Sequence, residues 1–237
     1  MNITLRTLSL PLKVLASCYL VTIGMGYLFA ISYLYLMDVR PHAGQHMGLV
    51  TDVIVKYYGR RNTTRLEAAL AGPMADRATA DQKQVIAEWI HDGATEAGFA
   101  RVQPILEQQC VMCHRPQSGL PVPPLTSYDE VKTLAETDMG QSVKSLVSVS
   151  HIHLFGISFI FMLAGLIFAF SELPSGWRAA LIVAPFVSIW IDIGSWWFTK
   201  SDPIFAYTVV LGGALMGVAL AAQIVLSLYE MWLKRQP

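Results

Sequence analysis

The chain has 237 residues, of which 54% are hydrophobic and only 14% are charged, whereas soluble chains carry about 25% charged residues. This balance argues against an ordinary soluble domain. The formal net charge is zero, which argues against a nucleic-acid partner, since such a partner requires a basic face.

Four apolar blocks follow one another along the chain. The first, residues 14–37, has no charged residue and exceeds the roughly 20 residues that cross a bilayer. Because it is also longer than the apolar core of a signal peptide, about 7–15 residues, we expect a retained anchor. The other blocks are residues 149–171, 179–199 and 204–229, and Asp192 is the one charged residue within them. The blocks predict a bundle of four transmembrane helices.

The basic residues beside these blocks predict the orientation. If the chain crosses four times, one side receives Arg6, Lys13, Arg178, Lys234 and Arg235. By the positive-inside rule, both termini are expected in the cytoplasm of a bacterial inner membrane. The predicted domains are then residues 1–37 (N-terminus and first span), a periplasmic domain at 38–148, and residues 149–237 (spans two to four and C-terminus).

Residues 38–148 predict short helices joined by loops. Each of three helix starts carries a capping box, namely Thr64 with Glu67, Thr79 with Gln82, and Ser127 with Glu130. An amphipathic stretch at 47–58 is expected to pack against the rest of this domain. Strand alternation is absent from the sequence, so the predicted fold class is all-α.

The stretch CVMCH at residues 110–114 contains two of the three cysteines. Zinc is one interpretation, but it needs two further strong ligands, and the remaining cysteine, Cys18, falls inside the first span. A disulfide between Cys110 and Cys113 is another, given the oxidising compartment. The third is covalent haem, because C-x-x-C-H is the attachment pattern of haem c. We favour haem c.

Around this motif the segment resembles a c-type cytochrome domain. QPILEQQC, which ends at Cys110, resembles the helix that leads into the haem motif of that class. EWIHDGA at 88–94 resembles the end of the closing helix of class I cytochromes. In those proteins the closing helix follows the haem motif, whereas EWIHDGA precedes the motif here. The four-span frame is similar to uncharacterised bacterial membrane cytochromes. The resemblance implies thioether links from Cys110 and Cys113 to haem and makes His114 the proximal iron ligand.

The second axial ligand has three leading candidates, and the other options are His42, His46, His91, another methionine or an open position. Met139 lies beyond the helix that Ser127 begins, and thioether ligation suits an electron carrier. The alternatives are His151 and His153, at the start of the second span, if the haem domain rests on the bundle.

Polar residues where the spans meet the periplasmic side have two interpretations, a structural role in the packing of the bundle or a second functional site. This second site would contain His42, His46, His153 and Asp192. A carboxylate inside a span is costly, so Asp192 should face the bundle and have a partner. The candidate ligands of this site are a quinol, a proton, a metal or a b-type haem.

These features predict a membrane-anchored c-type cytochrome that carries electrons between a membrane respiratory partner and a periplasmic acceptor or donor. One alternative is a quinol-oxidising subunit whose second site holds haem b, and another is a haem-based redox or gas sensor. A component of an oxidoreductase complex is favoured over a free-standing enzyme. Because a single helix suffices as an anchor, four spans indicate contacts with other membrane subunits.

Overall fold

The structure is a computed structural model that describes residues 3–36, 48–120 and 122–234. The chain divides into two compact units. The bundle unit comprises Met1–Tyr57 and Gln141–Pro237, and the CVMCH unit comprises Tyr58–Gly140. Within the described ranges the secondary structure is helical apart from one isolated bridge between Thr64 and Thr137. The all-α prediction is confirmed.

Within its described residues, the bundle unit contains four helices that are long and apolar enough to cross a membrane, as predicted. They are α1 (Leu10–Leu34), α7 (Val143–Phe168), α8 (Ser175–Thr199) and α9 (Ala206–Trp232). Helix α7 begins well before residue 149, where hydropathy placed the start of the span. The reason is local: the side chain of Ser142 caps the helix by accepting from the Ser145 N–H, and Leu146 is fully buried.

Helix α9 contacts α1, α2 (Leu49–Tyr57), α7 and α8. Small residues allow the closest of these approaches. A Cβ added at Gly212 would lie 2.9 Å from the Asp192 backbone nitrogen of α8. Such packing is typical of small residues between membrane helices.

The prediction for the amphipathic stretch at 47–58 is wrong. It forms α2 (Leu49–Tyr57) and belongs to the bundle unit, where it contacts α8 and α9. Tyr57 is buried in the apolar core of the bundle, and Val53 packs against that core. The apolar face was correctly recognised, but periodicity alone does not say which partner covers such a face.

The CVMCH unit contains α3 (Arg65–Ala71), α4 (Ala80–His91), α5 (Glu96–Gln109) and α6 (Tyr128–Leu134). All three predicted capping boxes are present, at the starts of α3, α4 and α6. The helices share an apolar core whose largest side chain, Trp89, is fully buried.

One turn brings the two ends of the CVMCH unit together. The Asp138 carboxylate accepts from the Arg60 N–H at 3.2 Å and from the Gly140 N–H at 3.0 Å. Gly59 has a φ of +84° and lies against the backbone of Asp138 and Gly140. Only glycine fits there, because a Cβ would overlap that backbone.

Candidate functional site

Cys110 lies at the end of the core-facing side of α5. Val102, Leu106 and Cys110 follow one another at intervals of four residues, which places them on one helix face. The first two are buried and Cys110 is partly buried. Its N–H donates to the Leu106 carbonyl at 2.8 Å and so caps the helix. Burial raises the pKa of the Cys110 thiol. The sulfur therefore sits where apolar core meets surface.

A tight turn follows and holds the other two residues of the motif. The Cys110 carbonyl accepts from the Cys113 N–H at 3.1 Å and from the His114 N–H at 2.9 Å. Cys113 is exposed, whereas Cys110 is partly buried. The turn thus presents two thiols and an imidazole from five consecutive residues.

The imidazole of His114 is oriented by a backbone carbonyl. Its Nδ1 lies 2.7 Å from the Pro123 oxygen. A carbonyl only accepts, so Nδ1 is the donor, and in the neutral imidazole Nε2 is then the nitrogen with a lone pair. The Leu125 N–H donates to the His114 carbonyl at 2.8 Å, and Leu125 is buried in the core. Histidine ligands of metals are commonly held by such a second hydrogen bond.

These residues fit a covalently bound haem. Two thiols are available for thioether links, and Nε2 of His114 is available to iron. In residues 3–36, 48–120 and 122–234 no group of three or more His, Cys, Asp or Glu side chains could hold a metal ion. Haem iron needs only axial protein ligands, so it makes no such demand. Met112 within the motif is exposed, and so are Leu120 and Val122 in the loop that follows it.

The three predicted second ligands are divided between the two units, one in the CVMCH unit and two in the bundle unit. Met139 is in the CVMCH unit, in the turn closed by Asp138, and its side chain is 46% exposed. His151 and His153 are both in α7 of the bundle unit. The Nδ1 of His153 lies 2.8 Å from the Val149 carbonyl, and that of His151 lies 3.3 Å from the Val147 carbonyl.

Asp192 of the second predicted site has a partner within its own helix. The Trp196 Nε1 donates to Asp192 Oδ1 at 3.1 Å. The Trp196 ring stacks on Tyr57 at 5.5 Å between centroids and meets His153 edge-on at 5.4 Å. Lys56 lies close enough to act electrostatically on Asp192. We call these five residues the Asp192 cluster. His42 and His46 lie outside the described residues.

Several of these contacts were not predicted from the sequence. Trp196 follows Asp192 by four residues, a spacing that brings side chains together on a helix, so this contact had a readable signal. Lys56 approaches Asp192 only because α2 packs on the bundle. The contact between His114 and the Pro123 carbonyl had no signal in the sequence, because the acceptor is a backbone group in a proline-rich loop.

The four apolar helices define the class: the chain is a multi-pass membrane protein. Residues 133–237, which include α7, α8 and α9, match the family model Aq_1264_TM, described as a transmembrane helical domain. The similarity to that family does not extend to the CVMCH motif. Searches of curated proteins and of solved structures gave no match.

Proposed function

We propose that this chain is a membrane-anchored c-type cytochrome, which carries electrons between a membrane respiratory partner and a periplasmic acceptor or donor. The observation that carries the proposal is the 2.7 Å contact between His114 Nδ1 and the Pro123 carbonyl, within a C-x-x-C-H motif. The contact leaves Nε2 of the imidazole as the metal-binding atom.

Each residue of the motif has one role in this proposal. The thiols of Cys110 and Cys113 add across the two vinyl groups of haem, so that each S–H hydrogen passes to a vinyl carbon. His114 binds the iron through Nε2. When bound, the haem supplies a reversible one-electron change at iron. The covalent links prevent loss of the haem. An electron carrier that is exposed outside the membrane needs this retention.

The bundle gives this carrier more than an anchor. One apolar helix would hold it in the membrane, yet four are present. Many large apolar side chains of these helices are exposed, among them Phe29, Phe155 and Val218. We propose that the bundle docks against other membrane subunits and that the CVMCH unit is periplasmic, with both termini in the cytoplasm.

Peroxidase staining after denaturing electrophoresis tests the haem assignment. The wild-type chain, produced in a host that matures haem c, should give a stained band, and its haemochrome spectrum should be that of haem c. Cys110→Ala with Cys113→Ala should abolish the stain, whereas Cys18→Ala, the matched control, should keep it. An unstained wild-type band would overturn the proposal.

A second candidate function is quinol oxidation at the Asp192 cluster. The favouring observation is that Trp196 lies between two proton-accepting groups, the Asp192 carboxylate and the His153 imidazole. Oxidation of a quinol to a quinone releases two electrons and two protons. A carboxylate and an imidazole would accept those protons, while the electrons pass singly to the haem or through a haem b.

Reduction of the purified cytochrome by a short-chain quinol tests this candidate. Asp192→Asn should slow haem reduction at least tenfold, without changing haem content or reduction by dithionite. Trp196→Phe should also slow it, while the exposed Trp190→Phe should not. Equal rates in wild type and Asp192→Asn would exclude the candidate, and absence of extractable haem would exclude its haem b form.

A further inference from the structure

We propose that a groove between α1 and α7 binds one acyl chain of an anionic phospholipid, whose headgroup lies beside Arg6. This site goes beyond the proposed function, because it lies in the bundle unit and needs no haem. The lipid belongs to the leaflet at the basic end of the bundle, where Arg6, Lys13, Arg178 and Lys234 make their contacts.

The lining of the groove suits a hydrocarbon chain. Its volume is about 580 Å³, within the range of about 300–1,000 Å³ that is typical of small-molecule sites. Among the lining side chains only Tyr19 carries a polar group, and its hydroxyl donates to the Ile160 carbonyl at 3.1 Å. The lining side chains thus leave no donor for a quinone headgroup, whereas an acyl chain needs none.

The groove extends through about one leaflet. The bond from Tyr19 to Ile160 joins α1 to α7 at its inner end. Tyr19 lies nine residues after Leu10, where α1 begins, and this separation corresponds to about 14 Å of helix rise. The hydrocarbon core of a bilayer is about 30 Å thick, so the groove covers about half of it. A single acyl chain covers the same depth.

The groove is open along its length to the surroundings of the bundle. Leu12 and Leu15 of α1 and Leu166 of α7 line the groove and are exposed. Because α1 and α7 are membrane spans, these side chains face the lipid. An acyl chain can therefore enter sideways from the bilayer without passing through the bundle.

Arg6 is held at the outer mouth of the groove. The Leu5 N–H donates to the Phe170 carbonyl at 2.8 Å, which fixes the 3₁₀ turn Leu5–Thr7 beside a residue that lines the groove. Arg6 lies in this turn, and its Nε is 3.2 Å from the carboxylate of Glu172. That carboxylate belongs to the second residue after Phe170. The guanidinium is thus close to where a chain in the groove would meet its headgroup.

The charges at this mouth favour an anionic headgroup. Lys234 lies 3.0 Å from the same carboxylate of Glu172, so two positive charges and one negative charge leave a net charge of +1. Glu172 contacts the Nε of Arg6, and the terminal nitrogens of a guanidinium suit the paired oxygens of a phosphate. A zwitterionic headgroup would bring its own cation beside Arg6 and Lys234, which is unfavourable.

Native mass spectrometry of the full chain in detergent tests the site. The probes are phosphatidylglycerol, which is anionic, and phosphatidylcholine with the same acyl chains, which is zwitterionic. Wild type should retain one phosphatidylglycerol, at least about fivefold more often than phosphatidylcholine. Leu166→Trp, which fills the groove, should lower the retention of both lipids at least about fivefold. Arg6→Gln should retain the two lipids equally.

Leu211→Trp is the matched control. Leu211 lies on α9 outside the groove and is 55% exposed, compared with 58% for Leu166, so both variants should fold. The control should bind lipid as wild type does.

Other results overturn the proposal. Equal retention of the two lipids by wild type excludes the anionic headgroup, and equal losses in Leu166→Trp and Leu211→Trp exclude the groove. A wild-type chain that retains no lipid excludes the site altogether. A dimer that Leu166→Trp dissociates would make the occupant a second copy, and a retained quinone would make it a quinone tail. The proposed function fails separately, since its failure leaves the wild-type band without peroxidase stain.

Discussion

Gln223 of α9 donates from Nε2 to the carbonyl of Leu181 in α8, at 2.7 Å. Leu181 lies four residues before Pro185, which is inside α8. Because proline has no N–H, the Leu181 carbonyl lacks its usual helical donor. The Gln223 side chain is fully buried and supplies that donor from the neighbouring helix. The α8–α9 contact thus repairs a break in helix hydrogen bonding where no water is available.

The first prediction concerns this replacement bond. Gln223→Leu should destabilise the bundle by about 1 kcal/mol, because the Leu181 carbonyl is left without a donor. Pro185→Ala should reduce that loss, since residue 185 then donates its own N–H to Leu181. Thermal unfolding in detergent of both single variants and the double variant gives the coupling directly. Additive effects would show that the bond does not serve this purpose.

The second prediction compares two adjacent glycines. Gly212→Ala should destabilise the bundle by about 1–3 kcal/mol, because the new methyl overlaps the backbone of Asp192. Gly213→Ala should be neutral or stabilising by up to about 1 kcal/mol, since no atom lies within 4 Å of its Cβ position and alanine favours helix. Unfolding temperatures in one detergent measure both. Equal losses would contradict the close α8–α9 packing.

How far the sequence predicts this structure depends on the range of each interaction. The capping boxes at Thr64 and Thr79 are local, and the structure has both. Apolar runs predict the four spans because length and hydropathy are also local properties. The partner of α2 was mispredicted, because the same apolar face fits either unit.

The same distinction between local and long-range interactions applies to the candidate site. Cys110, Cys113 and His114 lie within five consecutive residues, so their grouping is readable from the sequence. The hydrogen bond from His114 to Pro123 depends on a loop conformation, and residue type does not encode a backbone acceptor.

The third prediction concerns the stability of α3 at acid pH. Partial burial would raise the pKa of Glu67, but hydrogen bonds from Thr64 and Thr63 and the charge of His91 lower it overall. Stability from this carboxylate is therefore fully present above its ordinary pKa of 4.5 and is lost as the pH falls below that value. The protection factors of the α3 amides, which correct for the intrinsic pH dependence of exchange, should therefore fall in acid, and they should fall less in Glu67→Gln.

The same molecule contains a control for this measurement. Helix α4 begins with an equivalent box in which Gln82, a neutral side chain, accepts from the Thr79 N–H at 2.9 Å. Its protection should not follow the Glu67 titration. Identical acid responses of α3 and α4 would attribute the effect to global unfolding instead.

The fourth prediction concerns orientation in the membrane. Glu172, between α7 and α8, pairs with Arg6 at 3.2 Å and with Lys234 at 3.0 Å, and the bond from Lys234 contributes most to lowering the pKa of Glu172. Lys13 and Arg178 bond to the backbone at the same end of the bundle. We expect this basic end in the cytoplasm.

Reporter fusions check the orientation. A phosphatase reporter, which is active only outside the cytoplasm, should be inactive after Pro237 and active on a chain truncated after Gly140. A cytoplasm-specific reporter should behave in the opposite way. Phosphatase activity of the fusion at Pro237 would place the C-terminus outside the cytoplasm. The orientation would then be the reverse of the predicted one, or the number of spans would be odd.

Mass spectrometry of the tryptic peptide that begins at Val102 tests the central claim most directly. The peptide contains Cys110, Cys113 and His114, and it is separate from the one that carries Cys18. The account predicts that it carries the added mass of one haem, bound through both cysteines, in protein from a host that matures haem c. The same peptide recovered from that host with two unmodified thiols, or with a disulfide and no haem, would contradict it.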